Sequence, residues 1–286
     1  MTVGMMRLSI SLCLLAAGLN AAGVRLLRQD VQLTQPLAVG ATIAVGDFNG
    51  DGRPDLAAGM AGGIAVMLNR GRAAFGPAIY TGIPQPAPVA IADFNLDGKV
   101  DVAAYGQIAL GRGDGTFLSP QATSPAWFAA EAGDFNGDGL PDLAAVQTGA
   151  CGNGDAGCSA LVILLGNGDA TFRSADRFQI AGGYKPVVVD FNRDGKADLA
   201  VNLGNAVAIF LGNGDGSFRS LKAASLPAGA YTTRLLAADL NGDGIPDLVS
   251  RSHVLLGLGD GTFRSPAPYN LAVPGQTSPF ESSFAL

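Results

Sequence analysis

Short apolar runs alternate along the chain with clusters of glycine, asparagine and aspartate, and no run keeps helical 3.6-residue spacing for more than about ten positions. A run such as "TIAVG", residues 42–46, leads into a polar loop. A second run such as "LAAG" follows the loop directly, and a third such as "IAVMLN" ends in a glycine-rich turn. A phenylalanine, at position 75, 117, 172, 218 or 263, then opens a fourth and more polar stretch. Runs of this length, rich in Val, Ile and Ala and bounded by turn formers, predict β-strands. Turns such as "GNGDG" and "GRGDG" predict hairpins, because glycine supplies the positive φ that joins strands of the right twist.

The polar loops set the phase of the repeat. They begin at Asp47, Asp93, Asp134, Asp190 and Asp239, which are steps of 46, 41, 56 and 49 residues. Four short antiparallel strands recurring at 40 to 50 residues predict a β-propeller blade, since one such sheet cannot bury both faces and radial stacking of neighbours can. The expected fold is an all-β propeller of five recognisable four-stranded units over residues 24–286, in a ring of five to seven blades. Both ends offer an outer fourth strand: residues 29–39, "QDVQLTQPLAV", and residues 263–273, "FRSPAPYNLAV". One ring edge takes only one of them, so five blades with a spare strand, a six-bladed ring with an incomplete blade and an open arc completed by a partner all remain open.

The loops carry the chemistry. Residues 47–55, 93–101, 134–142, 190–198 and 239–247 read D-[FL]-N-x-D-G-x-x-D, and all but Glu131 and Glu281 of the 24 acidic residues in the chain are aspartate. Ca²⁺ takes six to eight oxygen ligands at about 2.3 to 2.6 Å, and a short loop supplies them from alternate positions. Positions one, three, five and nine are Asp47, Asn49, Asp51 and Asp55; Asp93, Asn95, Asp97 and Asp101; Asp134, Asn136, Asp138 and Asp142; Asp190, Asn192, Asp194 and Asp198; Asp239, Asn241, Asp243 and Asp247. Position seven would offer its backbone carbonyl, so its side chain is free to vary among Arg53, Lys99, Leu140, Lys196 and Ile245. Position six is always glycine, where the chain must bend round the ion. Position two, Phe48, Phe94, Phe135, Phe191 or Leu240, points away to pack between blades. The expectation is one Ca²⁺ per loop, about five in all and chiefly structural; the alternative is five Asx turns that bind nothing. An EF-hand is excluded, because position twelve is Ala58, Ala104, Ala145, Val201 or Ser250 where a bidentate glutamate is required.

The repeated "DFNGDGxxDL" followed by "LLGNGDGTF" resembles the FG-GAP or VCBS repeat of bacterial exported proteins, related to the integrin α-chain propeller. The resemblance covers about residues 40 to 270. It implies calcium in each loop and a role in extracellular adhesion or ligand binding. The chain departs from the pattern at "LNRGRAAF", where the first unit's turn lacks its aspartate, and in having five units where seven blades are usual.

Outside the repeats, Arg7 and the apolar run Leu8–Gly23 predict a secretory signal peptide spanning residues 1–23, with an uncleaved anchor as the alternative. That places the protein in the periplasm, at the cell surface or outside the cell. Cys13 would leave with the signal, while Cys151 and Cys158 close the loop "CGNGDAGC" and suit a disulfide in an exported protein, or stand as two free thiols.

Catalytic candidates are few. His253 is the only histidine and sits in an apolar strand run. No nucleophile elbow, phosphate loop or histidine-metal motif occurs, and Lys and Arg form no stripe for nucleic acid. Arg112–Asp114 spell RGD, yet "GRGDGTF" aligns with "GNGDGSF" and "GLGDGTF", so Asp114 belongs to the recurrent hairpin. Trp127 reads as packing between blades, with sugar stacking as the rival. The expected function is a non-enzymatic binding, adhesion or scaffold module for an extracellular glycan or protein. The alternative is a polysaccharide lyase or hydrolase on the same scaffold.

Overall fold

The computed structural model describes residues 7–11, 28–32, 43–60, 62–71, 74–82, 90–148, 158–227, 234–250 and 252–268. Among them every regular element is a strand. Five antiparallel sheets follow one another in chain order as the blades of a five-bladed β-propeller, each built on four sequence-consecutive strands, and the sheet of blade 4 takes Ala224–Ser225 as a fifth strand paired with Ala206–Gly212. Blade 1 comprises Ile43–Gly46, Asp55–Met60, Gly63–Met67 and Ile79–Thr81; blade 2 comprises Ala90–Ala92, Asp101–Ala104, Gln107–Ala109 and Gln121–Ala122. Blade 3 is Ala129–Gly133, Asp142–Thr148, Cys158–Gly166 and Phe172–Ala181, and blade 4 is Val187–Val189, Asp198–Asn202, Ala206–Gly212 and Phe218–Ser220. Blade 5 is Leu236–Ala238, Asp247–Val249, His253–Leu255 and Ala267–Pro268.

The two candidate outer strands are thereby resolved. Ala267–Pro268 pairs with His253–Leu255 and completes blade 5 from its own sequence. Arg28–Gln32 instead pairs with Arg7–Ser11 in a separate two-stranded sheet. Cys151 lies outside the described residues, and so does the predicted pairing with Cys158. No helix among the described residues is long and apolar enough to cross a membrane.

Second and third strands read as continuous apolar runs because both of their faces are covered. Asp55–Met60, Gly63–Met67 and Asp198–Asn202 are buried at every position. Alternate residues belong to different interfaces: Leu143 and Ala145 pack toward blade 2, Ala144 and Val146 toward blade 4. Alanine is frequent at these positions because small side chains let neighbouring sheets approach closely. The core is therefore a set of apolar seams between blades, with one cluster for each of the pairs 1–2, 2–3, 3–4 and 4–5. Trp127, 3% exposed, belongs to the seam between blades 2 and 3, which is the packing role expected for it.

Each of these four seams has the same aromatic lock. The position-two phenylalanine of one blade meets, edge to face, the phenylalanine that follows the third-strand turn of the next. The pairs are Phe48–Phe117, Phe94–Phe172, Phe135–Phe218 and Phe191–Phe263, with ring centroids 6.0, 5.7, 5.6 and 5.6 Å apart. Backbone hydrogen bonds run beside three of them: the turn N–H of Gly115, Ala170 and Gly216 donates to the carbonyl of Phe48, Phe94 and Phe135.

Between blade 5 and blade 1 the lock is missing. Leu240, at position two of blade 5, is 51% exposed, whereas Phe48, Phe94, Phe135 and Phe191 are at most 3% exposed. Phe75, its counterpart in blade 1, packs with Leu56, Met60 and Met67 of its own blade, and no described residue of blade 5 joins that cluster. Both irregularities of the repeat, leucine in "DLNGDG" and the missing aspartate in "LNRGRAAF", thus fall at one seam.

Phe191→Leu, which removes one aromatic lock, should cost about 1 to 2 kcal/mol. Leu240→Ala should cost less than about 0.5 kcal/mol. Urea denaturation of the two variants checks the contrast, and equal losses would contradict it.

Candidate metal centres

Each acidic loop joins the first strand of its blade to the second, so all five gather on one rim, beside the turns that join third strands to fourth. The loop is wound around its own first carboxylate. The position-six amide donates to the position-one aspartate in every copy: Gly52 to Asp47 at 2.7 Å, Gly98 to Asp93 at 2.7 Å, Gly139 to Asp134 at 3.0 Å, Gly195 to Asp190 at 2.8 Å and Gly244 to Asp239 at 2.9 Å. Positions three and five are linked as well. The side-chain amides of Asn49, Asn136, Asn192 and Asn241 donate to Asp51, Asp138, Asp194 and Asp243 at 2.8 to 3.1 Å. In all five loops the position-three oxygen also accepts the position-five N–H, at 2.9 to 3.3 Å. The position-seven amides of Arg53, Lys99, Leu140, Lys196 and Ile245 donate to the position-five carboxylate at 2.8 to 3.0 Å.

Two backbone positions in each loop take left-handed φ. One is the expected glycine at position six, with φ between 77° and 83°. The other is position four, occupied by Gly50, Gly137 and Gly242 but also by Leu96 at 59° and Arg193 at 63°. Sequence reasoning missed this second requirement, because two of the five copies break the glycine pattern that signals it.

Position nine holds the largest difference from expectation. Asp55, Asp101, Asp142, Asp198 and Asp247 are each 0% exposed, and both oxygens of each accept backbone N–H groups. One oxygen accepts the position-two amide: Phe48, Phe94, Phe135, Phe191 and Leu240 donate at 2.8 to 2.9 Å. The other accepts an amide at the end of the third strand: Asn69, Gly111, Gly166, Gly212 and Gly257 donate at 2.6 to 2.8 Å. This carboxylate is therefore a clasp that fastens the acidic loop to the far side of its own sheet. The last four of these partners are glycines with a physical reason: a Cβ at Gly111, Gly166, Gly212 or Gly257 would lie 2.2 to 2.4 Å from the carbonyl oxygen of the residue before the aspartate.

The charges of each loop act on one another. Burial pushes the carboxyls of Asp55, Asp101, Asp142 and Asp198 above their ordinary range, and the backbone N–H bonds pull against it, two on each of the first three and three on Asp198. Neighbouring carboxylates add to the rise: Asp51 and Asp47 on Asp55, Asp97 and Asp93 on Asp101, Asp138 and Asp134 on Asp142. In the adjoining turns Asp114, Asp169, Asp215 and Asp260 lie below the ordinary range, each accepting the hydroxyl and the N–H of the Ser or Thr two residues on. Asp114 accepts from Thr116 in the same way as its three counterparts, so the RGD tripeptide is one copy of a structural turn.

The FG-GAP-like repeat profile matches residues 47–104, 134–201 and 190–250, more than half of the chain. The chain belongs to the FG-GAP-like repeat family. No curated protein matches the sequence. Among solved structures, the fold is similar to that of an Agrocybe aegerita lectin that recognises non-reducing terminal N-acetylglucosamine, at 21% identity and a TM-score of 0.53, over 80% of this chain and 65% of the lectin. The Photorhabdus luminescens Tc holotoxin pore aligns at 18% identity and a TM-score of 0.41, over 86% of this chain and 14% of that one. The V. cholerae biofilm matrix protein Bap1 aligns at 16% identity and a TM-score of 0.32, over 80% and 30%. The chain thus spans less than two thirds of the length of each of these proteins.

Within the FG-GAP loops the donor set is made of oxygens alone, carboxylate, amide and carbonyl, which is the chemistry a hard divalent cation requires. Among the described residues no three side chains of His, Cys, Asp or Glu converge as a metal site does. The structure holds positions one, three and five together through hydrogen bonds and draws position nine into the sheet. Each position-nine oxygen keeps a second lone pair, except Asp198 Oδ2, which also accepts the Asn192 N–H at 3.3 Å. His253, the only histidine, is half-buried with Nδ1 2.9 Å from the Ser252 hydroxyl.

In chelator, Asp142→Ala should cost about 2 to 4 kcal/mol, because it leaves two buried N–H groups without acceptors. Asp138→Ala, at an exposed position of the same FG-GAP loop, should leave the urea midpoint almost unchanged; equal effects would refute the clasp. Arg193→Gly should raise stability by about 0.5 to 1 kcal/mol by removing a left-handed non-glycine residue, and a lowered denaturation midpoint would argue against strain at that position.

Proposed function

We propose that this FG-GAP propeller is an exported, calcium-binding recognition module whose ligand is an extracellular glycan or protein. The observation that carries the reading is the gathering of five oxygen-only acidic loops on one rim of a rigid ring. Without a cation each loop holds three carboxylates in mutual repulsion, and a doubly charged ion relieves it. Asp47, Asn49, Asp51 and the Arg53 carbonyl, with Asp55 behind them, would hold the ion in the first loop, and the same positions in the other four. The ion's contribution is structural: it neutralises the loop and stiffens the rim. Extracellular calcium modules bind at about 0.1 to 1 mM, so the sites would fill outside the cell and stay empty in the cytosol. Export is supported by the apolar run Leu8–Gly23 behind Arg7.

A binding role is favoured over catalysis by the family and by the fold likeness to a glycan-recognising lectin. Propellers present inter-strand loops on a rigid ring, an arrangement suited to recognition. A glycan array probed with the purified chain in 2 mM Ca²⁺ and again in excess EGTA tests the proposal, with thermal melting recorded in both buffers. The expected result is a defined set of retained glycans, lost in EGTA together with a clear fall in melting temperature. An unchanged melting curve would remove calcium from the account, and silence on both a glycan array and a protein pull-down would remove the binding role.

A further inference from the structure

Five loops of nearly one sequence differ at position seven, and the difference has an electrostatic consequence. In every blade this side chain lies over the turn that joins third strand to fourth. Leu140 runs beside Gly168, Ile245 beside Gly257 and Gly259, and the methylene stems of Lys99 and Lys196 beside Gly113 and Gly214. The leucine and isoleucine end there. In the first two loops a cation continues past the turn and returns to the loop's own carboxylate. The Arg53 guanidinium sits 2.6 Å from Asp51 Oδ2 and donates through Nε to the Asn69 carbonyl at 3.0 Å. The Lys99 ammonium sits 3.2 Å from Asp97 Oδ2. The position-three amide donates to that same oxygen in the first loop as in the third, fourth and fifth, Asn49 to Asp51, Asn136 to Asp138, Asn192 to Asp194 and Asn241 to Asp243, so the cation is what sets the first two loops apart.

We propose that the loops of blades 1 and 2 are the late-filling calcium sites of the ring, because Arg53 and Lys99 act as internal competitors that must leave Asp51 and Asp97 before the ion binds. The inference rests on the calcium reading above and adds an order of filling to it. A cation on the position-five carboxylate opposes Ca²⁺ twice, by occupying an oxygen and by placing a positive charge beside the incoming ion. Both partners are partly exposed, so the handicap is modest: about fivefold in the calcium concentration at half-filling. The third and fifth loops carry no such competitor. Lys196 has the stem of Lys99 but makes no ion pair with Asp194 among the described contacts, so the fourth loop falls between the two classes. Blades 1 and 2 are neighbours. Across an intermediate calcium range the rim is therefore loaded on one side and held by its own cations on the other.

The position-six glycines report each loop separately, because their N–H groups donate to the position-one aspartates. Amide NMR of ¹⁵N-labelled, metal-stripped full chain titrated with CaCl₂ should show Gly139 and Gly244 reaching half-shift at about one fifth of the calcium needed by Gly52 and Gly98. The double variant Arg53→Leu/Lys99→Leu should bring Gly52 and Gly98 to the Gly139 midpoint. Arg53→Gln/Lys99→Gln, which keeps most of the stem length without the charge, should do the same and guards against a packing effect of leucine. One midpoint shared by all loops of the unaltered chain would overturn the ordering while leaving calcium binding intact, as would variants that leave Gly52 and Gly98 where they were. No shift at any glycine would overturn the ordering and the calcium reading together.

Discussion

A buried aspartate with both oxygens bonded to backbone N–H groups is the interaction on which the rest of this propeller hangs. It recurs as Asp55, Asp101, Asp142, Asp198 and Asp247. Each ties the start of an acidic loop to the end of the third strand across the sheet. A buried carboxylate is tolerated only where its lone pairs are met, and here the two N–H groups it meets are ones that the loop and the strand end would otherwise leave unpaired. The clasp also sets the direction of position two. With that amide pinned, the phenylalanine ring is delivered to the seam, where it meets the ring of the next blade. Loop geometry and blade packing are thus one device.

Much of this was legible in the sequence. The four-run repeat with its glycine turns was sufficient for an all-β propeller of five units, and the alternation of acidic and apolar positions in "DFNGDGRPDL" separated a polar loop from an aromatic packing contact. Leu140 and Lys99 at equivalent places were readable as positions where the backbone matters more than the side chain. What stayed hidden was whatever depends on partners distant in sequence. Position nine looks like one more ligand in an alternating series, and nothing near it reveals that Gly111, Gly166, Gly212 and Gly257 wait across the sheet for its carboxylate. The left-handed bend at position four was masked by Leu96 and Arg193, residues that accept strain there. The two irregular units could be seen separately, but their meeting at one seam requires the ring.

That seam separates two kinds of boundary. Four interfaces are locked by an aromatic pair and an apolar cluster. At the remaining one the position-two side chain of blade 5 is exposed and blade 1 packs upon itself. A closed ring of identical repeats has no preferred start. Here the repeat is irregular on both sides of one seam, with leucine for phenylalanine at one border and a turn without aspartate at the other.

Function draws on the same economy of parts. The oxygens that do not serve the clasp, at positions one, three and five, remain together on the rim, and their charge is the feature most open to control from outside. Native-state hydrogen exchange measured in chelator tests the clasp most directly. The account predicts that the amides of Phe48, Phe94, Phe135, Phe191 and Leu240, although they lie inside glycine-rich loops, exchange as slowly as the second strands beside them. Exchange of these amides at the rate of the exposed loop glycines Gly52 and Gly98 would contradict it.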